Sequence, residues 1–121
     1  MKDGIKNLKL AVIGLGYVGL PLALEFAKKR FVIGFDIQQK RIEQLKDGID
    51  KNKETKKEEF QDGKNLLFTS KEEDLKSANC YIVTVPTPID ELKKPDLKPL
   101  LSASKIIGKI LKKRDLIIYE S

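Results

Sequence analysis

Five short apolar runs recur along the chain, each separated from the next by a longer mixed segment. The runs cover residues 8–13, 31–35, 65–69, 80–85 and 115–119. The fourth run is rich in β-branched residues, is typical of a strand buried on both faces of a parallel sheet, and stops at Pro86, which cannot donate to a ladder. The pattern predicts five strands.

The segments after the first two runs carry helical periodicity. Apolar residues recur at i, i+3, i+4 and i+7 within 18–29, as Leu20, Ala23, Leu24 and Ala27, and this predicts a helix with one face on the sheet. Pro21 is tolerated only near the first turn of that helix, which places its start beside the preceding glycines. A shorter helix is predicted over 38–46, with Ile42 and Leu45 inward and Gly48 as its C-cap.

The second half of the chain predicts three further helices. A surface helix over 53–60 would be anchored by Phe60. Ser70 followed three residues later by Glu73 has the spacing of a capping box and predicts a short helix over 71–76. A longer helix is predicted to open at Pro95 and Asp96 and to run to about residue 113. Its expected buried stripe consists of Leu97, Leu100, Leu101, Ile107 and Leu111.

The alternation of strands and helices predicts an α/β fold with a doubly wound parallel sheet and right-handed crossovers. The expected strand order is 3-2-1-4-5, with a ligand crevice at the carboxyl ends of strands one and four. Three segments should then meet at one edge of the sheet: the turn at 14–19, Asp36, and residues 85–87.

The turn after the first strand has the spacing G-x-G-x-x-G, and each glycine has a physical role in holding a dinucleotide. Gly14 lets the chain leave the strand in a tight turn, Gly16 lets a pyrophosphate approach the backbone, and Gly19 lets the helix pack closely on the sheet. The helix presents unpaired N–H groups and the positive end of its dipole to the phosphates. The alternative is a Rossmann-like turn that has lost its ligand.

Asp36 ends the second strand at the spacing where a carboxylate takes the ribose hydroxyls of the cofactor. Its charge would repel a 2′-phosphate and favours NAD over NADP. Lys40 and Arg41 complicate this prediction because a nearby arginine can accommodate that phosphate; each of them can also be read as part of a solvated helix face. Tyr17 and Val18 either shape the floor of the crevice or start the helix, and the two roles are compatible.

Composition limits the remaining classes of function. The chain has 121 residues, 40% hydrophobic and 35% charged, which indicates one globular domain. It has neither the apolar run needed to cross a bilayer nor the apolar core of a signal peptide near Met1, so a cytoplasmic location without membrane association is expected. Histidine is absent and Cys80 is the single cysteine, so neither a metal site nor a disulfide is expected. The net charge of +6 is spread among acidic residues, so nucleic-acid binding is not predicted either.

Several motifs together resemble the UDP-glucose/GDP-mannose dehydrogenase family. They are VIGLGYVGLPLA at 12–23, GFD at 34–36, KRI at 40–42, VTVPTPID at 83–90 and YES at 119–121. The resemblance covers essentially the whole chain, and its wording at 83–90 is most similar to the UDP-N-acetylhexosamine branch, of the galactosamine or mannosamine type. Such enzymes oxidise the C6 alcohol of a nucleotide sugar to a carboxylate with two NAD⁺, and they serve polysaccharide biosynthesis.

The resemblance also implies roles for individual residues. The turn from Gly14 to Gly19 would hold the pyrophosphate, and Asp36 with Arg41 would hold the adenosine ribose. Val85, Pro86 and Thr87 would lie along the cofactor, with Ser121 towards the nicotinamide. Thr87 could instead satisfy the backbone between two prolines. The family's nucleophilic cysteine, lysine and asparagine lie beyond residue 121, and Cys80 does not replace the nucleophile because it opens a buried strand.

Residues 1–121 are therefore expected to be the NAD-binding domain of a larger enzyme, because the last predicted strand has no covering helix. The domain is expected to be inactive alone, because it lacks the family's nucleophile. The exposed flank is expected to favour a homo-oligomer. Two alternatives stay open: another Rossmann dehydrogenase, of the hydroxyacid or 6-phosphogluconate type, and a non-catalytic module that senses NAD(H) or an adenine nucleotide.

Overall fold

The computed structural model of the protein describes residues 8–47, 65–86, 89 and 92–120. These ranges contain one sheet, whose strands are β1 (Leu10–Ile13), β2 (Val32–Phe35), β3 (Leu66–Thr69), β4 (Cys80–Val83) and β5 (Leu116–Tyr119). All neighbouring strands are parallel and their order is β3-β2-β1-β4-β5, which confirms the predicted doubly wound topology. β1 lies at the centre, where Leu10 is opposite Val32 on one side and Cys80 on the other.

Two helices cover one face of this sheet, α1 (Gly19–Ala27) and α2 (Gln39–Lys46). Side chains alternate along a strand, so every second residue of β1 and β4 points to this face. The predicted stripe of α1 is confirmed as fully buried, as are Ile42 and Leu45 of α2. The core on this side contains Leu10, Val12, Leu15, Leu20, Ala23, Leu24, Ala27, Val32, Ile42, Leu45, Cys80 and Ile82.

The opposite face is covered by α3 (Lys98–Ile110) and by a 3-10 helix over Glu72–Ser77. The core on this side contains Ala11, Ile13, Ile33, Phe35, Leu75, Ala78, Tyr81, Val83, Ala103, Ile106 and Ile107. β1, β2 and β4 are buried at all four positions, as expected for parallel strands between two helical layers. Within the described ranges, none of the helices has the length and apolar character needed to cross a bilayer.

The predicted buried stripe of α3 is wrong at three of its five positions. Leu97 and Leu111 flank the helix and are about half exposed, and Leu101 is 57% exposed. The buried positions are Ala103, Ile106 and Ile107, with Leu100 packed against them. The error has a physical reason: α3 carries apolar residues on more than one face, so its periodicity fits two stripes and only one faces the sheet.

Local capping explains the other differences between prediction and structure. The Asp96 carboxylate accepts the Lys98 N–H at 3.0 Å, so α3 begins after Asp96 rather than at Pro95, and it ends at Ile110 rather than near residue 113. The predicted capping box at Ser70 is wrong, because the N-cap is Lys71 and no side chain caps it. The hydroxyl of Thr69 accepts the Lys71 N–H instead, and the helix that follows is of the 3-10 type.

Strand and helix ends differ from the predicted ends by one or two residues in most other elements. β4 ends at Val83 instead of residue 85, although the Thr84 N–H still donates to Ile13 O at 2.8 Å. The predicted helix over 53–60 and the predicted C-cap at Gly48 lie outside the described residues.

Candidate cofactor site

A cleft of about 760 Å³ opens at the carboxyl ends of β1, β2 and β4. Its lining includes Gly14, Leu15 and Gly16 from the turn, Asp36, Lys40, Arg41 and Gln44 after β2, Val85 and Pro86 after β4, and Asp96, Lys98, Pro99 and Ser102 around the start of α3. The predicted meeting of three segments at one edge is therefore confirmed for the described residues. The wall made by the start of α3 was not predicted, although a helix that follows β4 returns past this edge in such topologies.

Gly14 makes the sharp turn away from β1. Its φ of +98° lies in the region that side chains rarely adopt, and its N–H donates to Phe35 O at 2.8 Å. A Cβ added at Gly14 would lie 3.0 Å from the backbone N and Cα of Val85. The turn is thus pressed against the end of β4, and both conformation and space require glycine.

Gly16 and Gly19 serve opposite needs. A Cβ added at Gly16 would meet nothing within 4 Å, so the backbone is open to the cleft at this point. A Cβ added at Gly19 would overlap the carbonyl oxygen of Gly14 and the hydroxyl oxygen of Thr84. The first glycine leaves room for a ligand, whereas the second leaves room for the protein itself, as the sequence predicts.

The N–H groups of Gly16, Tyr17 and Val18 have no acceptor within the described part of the chain, whereas the Leu20 N–H donates to Gly16 O at 3.2 Å. Val18 is the N-cap of α1, without a side-chain hydrogen bond. The Tyr17 side chain is 69% exposed and, like that of Val18, does not line the cleft. These two residues start the helix and offer backbone donors.

Asp36 is half-buried and joins the turn to α2. One carboxylate oxygen accepts the Leu15 N–H at 3.0 Å, and the other accepts the Gln38 N–H at 2.9 Å. Both bonds hold the carboxylate at the mouth of the cleft, where the sequence predicts it.

Arg41 contacts Leu15, the same turn residue whose N–H is bound by Asp36, at its carbonyl oxygen. Its Nε and Nη2 donate to Leu15 O at 2.9 and 2.7 Å, and its side chain is half-buried. The alternative of a purely solvated helix face is therefore wrong for Arg41. The Leu15 residue is held at its N–H by Asp36 and at its carbonyl by Arg41, both of which line the cleft.

Thr84 is a site residue that the sequence analysis missed. It is 7% exposed, and its hydroxyl lies 2.6 Å from Gly14 O and 3.1 Å from Ile13 O, where it donates to these carbonyls. The available signal was a polar side chain at the end of an otherwise apolar buried strand. Of the residues predicted around it, Val85 and Pro86 line the cleft, and Thr87 and Ser121 lie outside the described residues.

Cys80 lies at the other end of β4 from the cleft. It is buried at 2% exposure, and burial raises the pKa of its thiol above the ordinary value of 9.0. A buried thiol that resists ionisation is a poor nucleophile, in agreement with its predicted structural role. Among the described residues, no group of three or more His, Cys, Asp or Glu side chains is placed to hold a metal ion.

The site fits the polar parts of a dinucleotide. The open backbone at Gly16 and three successive N–H groups that have no acceptor among the described residues match a pyrophosphate at the start of a helix. The Asp36 carboxylate stands beside that turn as an acceptor for hydroxyl groups.

Comparisons with known proteins agree with this geometry. Residues 8–121 match the model of the UDP-glucose/GDP-mannose dehydrogenase family, NAD binding domain. The chain is 59% identical over 117 residues to a UDP-N-acetyl-D-glucosamine 6-dehydrogenase of Pseudomonas aeruginosa, and 54% identical over 118 residues to one of Salmonella typhi. These matches cover 97% and 98% of the chain, which spans 28% of the length of either relative.

Solved structures show the same domain. The UDP-D-ManNAc dehydrogenase of Pyrococcus horikoshii superposes with a TM-score of 0.80 at 34% identity, over 94% of this chain and 28% of that one. A GDP-mannose dehydrogenase of Pseudomonas aeruginosa gives the same TM-score at 20% identity, over 93% of this chain and 28% of that one, and supports the fold alone.

Proposed function

The chain belongs to the UDP-glucose/GDP-mannose dehydrogenase family, as its NAD-binding domain, and from this premise we propose the activity of the protein that contains it. That protein oxidises the C6 alcohol of a UDP-N-acetylhexosamine to a carboxylate with two NAD⁺. UDP-N-acetyl-D-glucosamine is the proposed sugar nucleotide, because the relatives at 59% and 54% identity are both named for it. A mannosamine-type relative, as favoured by the motif at 83–90, matches at 36% identity.

One observation supports the cofactor role of these particular residues. The open backbone at Gly16 and the Asp36 carboxylate both line the cleft. Leu15 connects them, because it precedes Gly16 in the chain and its N–H donates to the Asp36 carboxylate. Gly14, Gly16, Gly19, Tyr17 and Val18 are proposed to bind the pyrophosphate through backbone N–H groups, or to allow its approach.

Asp36 is proposed to bind the adenosine ribose, and Arg41 to support that end of the cleft by holding Leu15. Val85 and Pro86 would border the cofactor on the β4 side, with Thr87 and Ser121 continuing along it. When bound, NAD⁺ supplies the acceptor for hydride. The described residues bind and orient it, and the proposed nucleophile and sugar contacts belong to segments beyond residue 121.

The first experiment is a calorimetric titration of this chain with NAD⁺ and, separately, with NADP⁺. We expect saturable binding of NAD⁺ and weaker binding of NADP⁺. Asp36→Ala should abolish the preference, because it removes the charge that would repel a 2′-phosphate. Asp47→Ala, at the exposed end of α2, is the matched control and should leave the preference unchanged. Absence of NAD⁺ binding from a folded wild-type chain would contradict the proposal.

The second experiment tests the substrate on the longer protein. UDP-N-acetyl-D-glucosamine, its galactosamine and mannosamine analogues and UDP-glucose are compared by NADH formation. We expect the glucosamine compound to be preferred and two NADH to form per sugar. Failure to oxidise any UDP-sugar, with NAD⁺ binding intact, would favour the alternatives, another Rossmann dehydrogenase or an NAD(H)-sensing module. The 121-residue chain alone is expected to be inactive.

We also propose that the longer protein is a homo-oligomer, that it is located in the cytoplasm and that it does not bind nucleic acid. The exposed apolar side chains of β5 support self-association, because bare apolar surface tends to find partners. Sedimentation velocity of the longer protein tests the assembly, and cell fractionation tests the location. A monomer at all concentrations, or recovery with membranes, would contradict the respective part of the proposal.

A further inference from the structure

Thr84 bonds to the glycine turn through its side chain rather than through the sheet alone. The hydroxyl lies 2.6 Å from the carbonyl oxygen of Gly14, which is 70 positions earlier in the sequence. It is also 3.1 Å from Ile13 O, the acceptor of the Thr84 N–H. Because a hydroxyl group has one proton, the shorter contact, with Gly14 O, is the stronger of the two hydrogen bonds.

The same hydroxyl touches the start of α1. A Cβ at Gly19 would overlap both the Thr84 hydroxyl oxygen and the Gly14 carbonyl oxygen. The first and last glycines of the turn therefore meet at this buried side chain. The space between them admits no further side chain, and the Thr84 hydroxyl lies at this contact between the two limbs of the turn.

The Gly14 carbonyl and the Leu15 N–H belong to one peptide group. Thr84 binds the carbonyl end of that group, and Asp36 binds its N–H end at 3.0 Å. In a trans peptide these two ends point in opposite directions, so bonds at both ends fix its rotation. The next peptide group is held through Leu15 O by Arg41, and its other end is the Gly16 N–H, which has no acceptor among the described residues.

We infer that Thr84 is a positioning residue for the cofactor: its hydroxyl fixes the Gly14–Leu15 peptide, which adjoins the Leu15–Gly16 peptide, and so helps to set the direction in which the Gly16 N–H is presented. The inference rests on the proposed pyrophosphate role of the turn. Thr84 does not line the cleft and acts through Gly14. The alternative is that the hydroxyl only satisfies its own need for a hydrogen-bond partner in the core.

The test compares three variants of the 121-residue chain. Thr84→Val keeps the shape and removes the hydroxyl, and Thr84→Ser keeps the hydroxyl and removes a methyl group. Thr69→Val is the matched control, because Thr69 is also a buried threonine at the end of a strand, but its hydroxyl bonds to Asp74 and Lys71. All three should lose some thermal stability, and only Thr84→Val should disturb the turn.

Two readouts separate positioning from general destabilisation. By calorimetry, Thr84→Val should raise the Kd for NAD⁺ about tenfold, the size expected when a buried acceptor loses its donor, whereas Thr84→Ser and Thr69→Val should change it less than about threefold. Without cofactor, Thr84→Val should speed amide exchange at Gly14, Leu15 and Leu20, whose N–H groups bond to Phe35, Asp36 and Gly16.

The outcomes separate this inference from the function on which it rests. Equal NAD⁺ affinity and equal exchange in Thr84→Val and Thr69→Val would overturn the positioning role and leave the proposed function intact. A wild-type chain that does not bind NAD⁺ would count against the proposed function. The exchange comparison needs no cofactor and would still decide whether Thr84 fixes the turn.

Discussion

Helices α1 and α3 pack on opposite faces of one sheet, yet they bury their leucines to different extents. On α1, Leu20 and Leu24 are at most 4% exposed. On α3, Leu101 is 57% exposed, although Ile107 on the same helix is fully buried. An apolar residue at helical spacing is therefore buried only where the helix has a neighbour on that side.

The strands beside these helices show the same difference. Leu116 and Ile118 of β5 are in register with Cys80 and Ile82, so they lie on the face of the sheet that α1 covers elsewhere. They are nevertheless 52% and 40% exposed, and no element in the described ranges covers them. The part of this sheet face beneath α1 is covered by the chain's own residues, whereas the part formed by β5 is apolar and exposed.

The largest effect is expected from a glycine-to-alanine substitution on α1, whose counterpart on α3 is Gly108→Ala. Gly19→Ala should lower the free energy of unfolding by about 4 kcal/mol, because its Cβ overlaps the Gly14 backbone, which cannot rotate away. Urea denaturation measures the loss. A variant as stable as the wild type would show that the turn and α1 are not packed as closely as described.

A second comparison uses one leucine from each helix. Leu24→Ala should cost about 3 kcal/mol, since it leaves a cavity between α1 and the sheet. Leu101→Ala should change stability by less than about 0.5 kcal/mol. Urea denaturation of both variants under the same conditions measures the difference. Similar costs at the two sites would break the comparison, because Leu101 would then be buried in solution.

A third comparison concerns two tyrosines on neighbouring strands. The Tyr81 hydroxyl is buried and donates to Leu75 O and Ala78 O at 3.1 and 3.2 Å. Burial, and then the charge of Asp115, raise the pKa of Tyr81 above 10.0. The folded state thus favours the neutral phenol, which contributes stability below pH 10 that is lost as the pH rises through the raised pKa.

Tyr81→Phe should therefore cost about 1 kcal/mol near neutral pH, where two carbonyls lose their donor, and should reduce the loss of stability above pH 10. Tyr119→Phe on the exposed β5 is the control for removal of a phenol hydroxyl and should change stability near neutral pH by less than about 0.5 kcal/mol. Urea denaturation at neutral and alkaline pH gives both quantities. An unchanged slope in Tyr81→Phe would show that this hydroxyl is accessible to solvent in the folded state.

The smallest expected effect has the opposite sign. Gly108→Ala on α3 should stabilise the protein by about 0.5 kcal/mol, because alanine is the better helix former and its Cβ meets nothing within 4 Å. The melting temperature measures the gain, and Gly19→Ala is its counterpart on α1. A loss at Gly108 would indicate that this side of α3 is covered in solution.

Much of the fold and half of the site followed from the residue pattern. The strand order and the convergence at the cleft were predictable because connection rules leave few topologies, and Gly14, Gly16 and Asp36 were predictable because their spacing reflects a local turn. The exposure of Leu101 was not, because the pattern of α3 does not indicate which of its apolar faces has a neighbour.

Long-range hydrogen bonds of side chains could not be predicted from the sequence pattern either. Thr84 and Arg41 reach the turn across 70 and 26 residues of sequence, and nothing in the spacing of the glycines reports them. The capping box at Ser70 failed for a related reason: the hydroxyl of Thr69 at the end of β3 accepts the Lys71 N–H, and the 3-10 helix begins one residue later than the box requires, with Lys71 as its N-cap.

The central position of β1 also governs the order in which the protein can fold. Leu15 meets Asp36 across 21 residues, whereas Gly14 meets Thr84 across 70, and the longer loop costs more chain entropy to close. Synthesis delivers the N-terminal part first, so β1, α1 and β2 emerge from the ribosome well before β4. Until β4 docks, the Gly14 carbonyl has no donor from Thr84. The glycine turn of a nascent chain therefore gains its full set of hydrogen bonds late, when the second half of the sheet closes on the first.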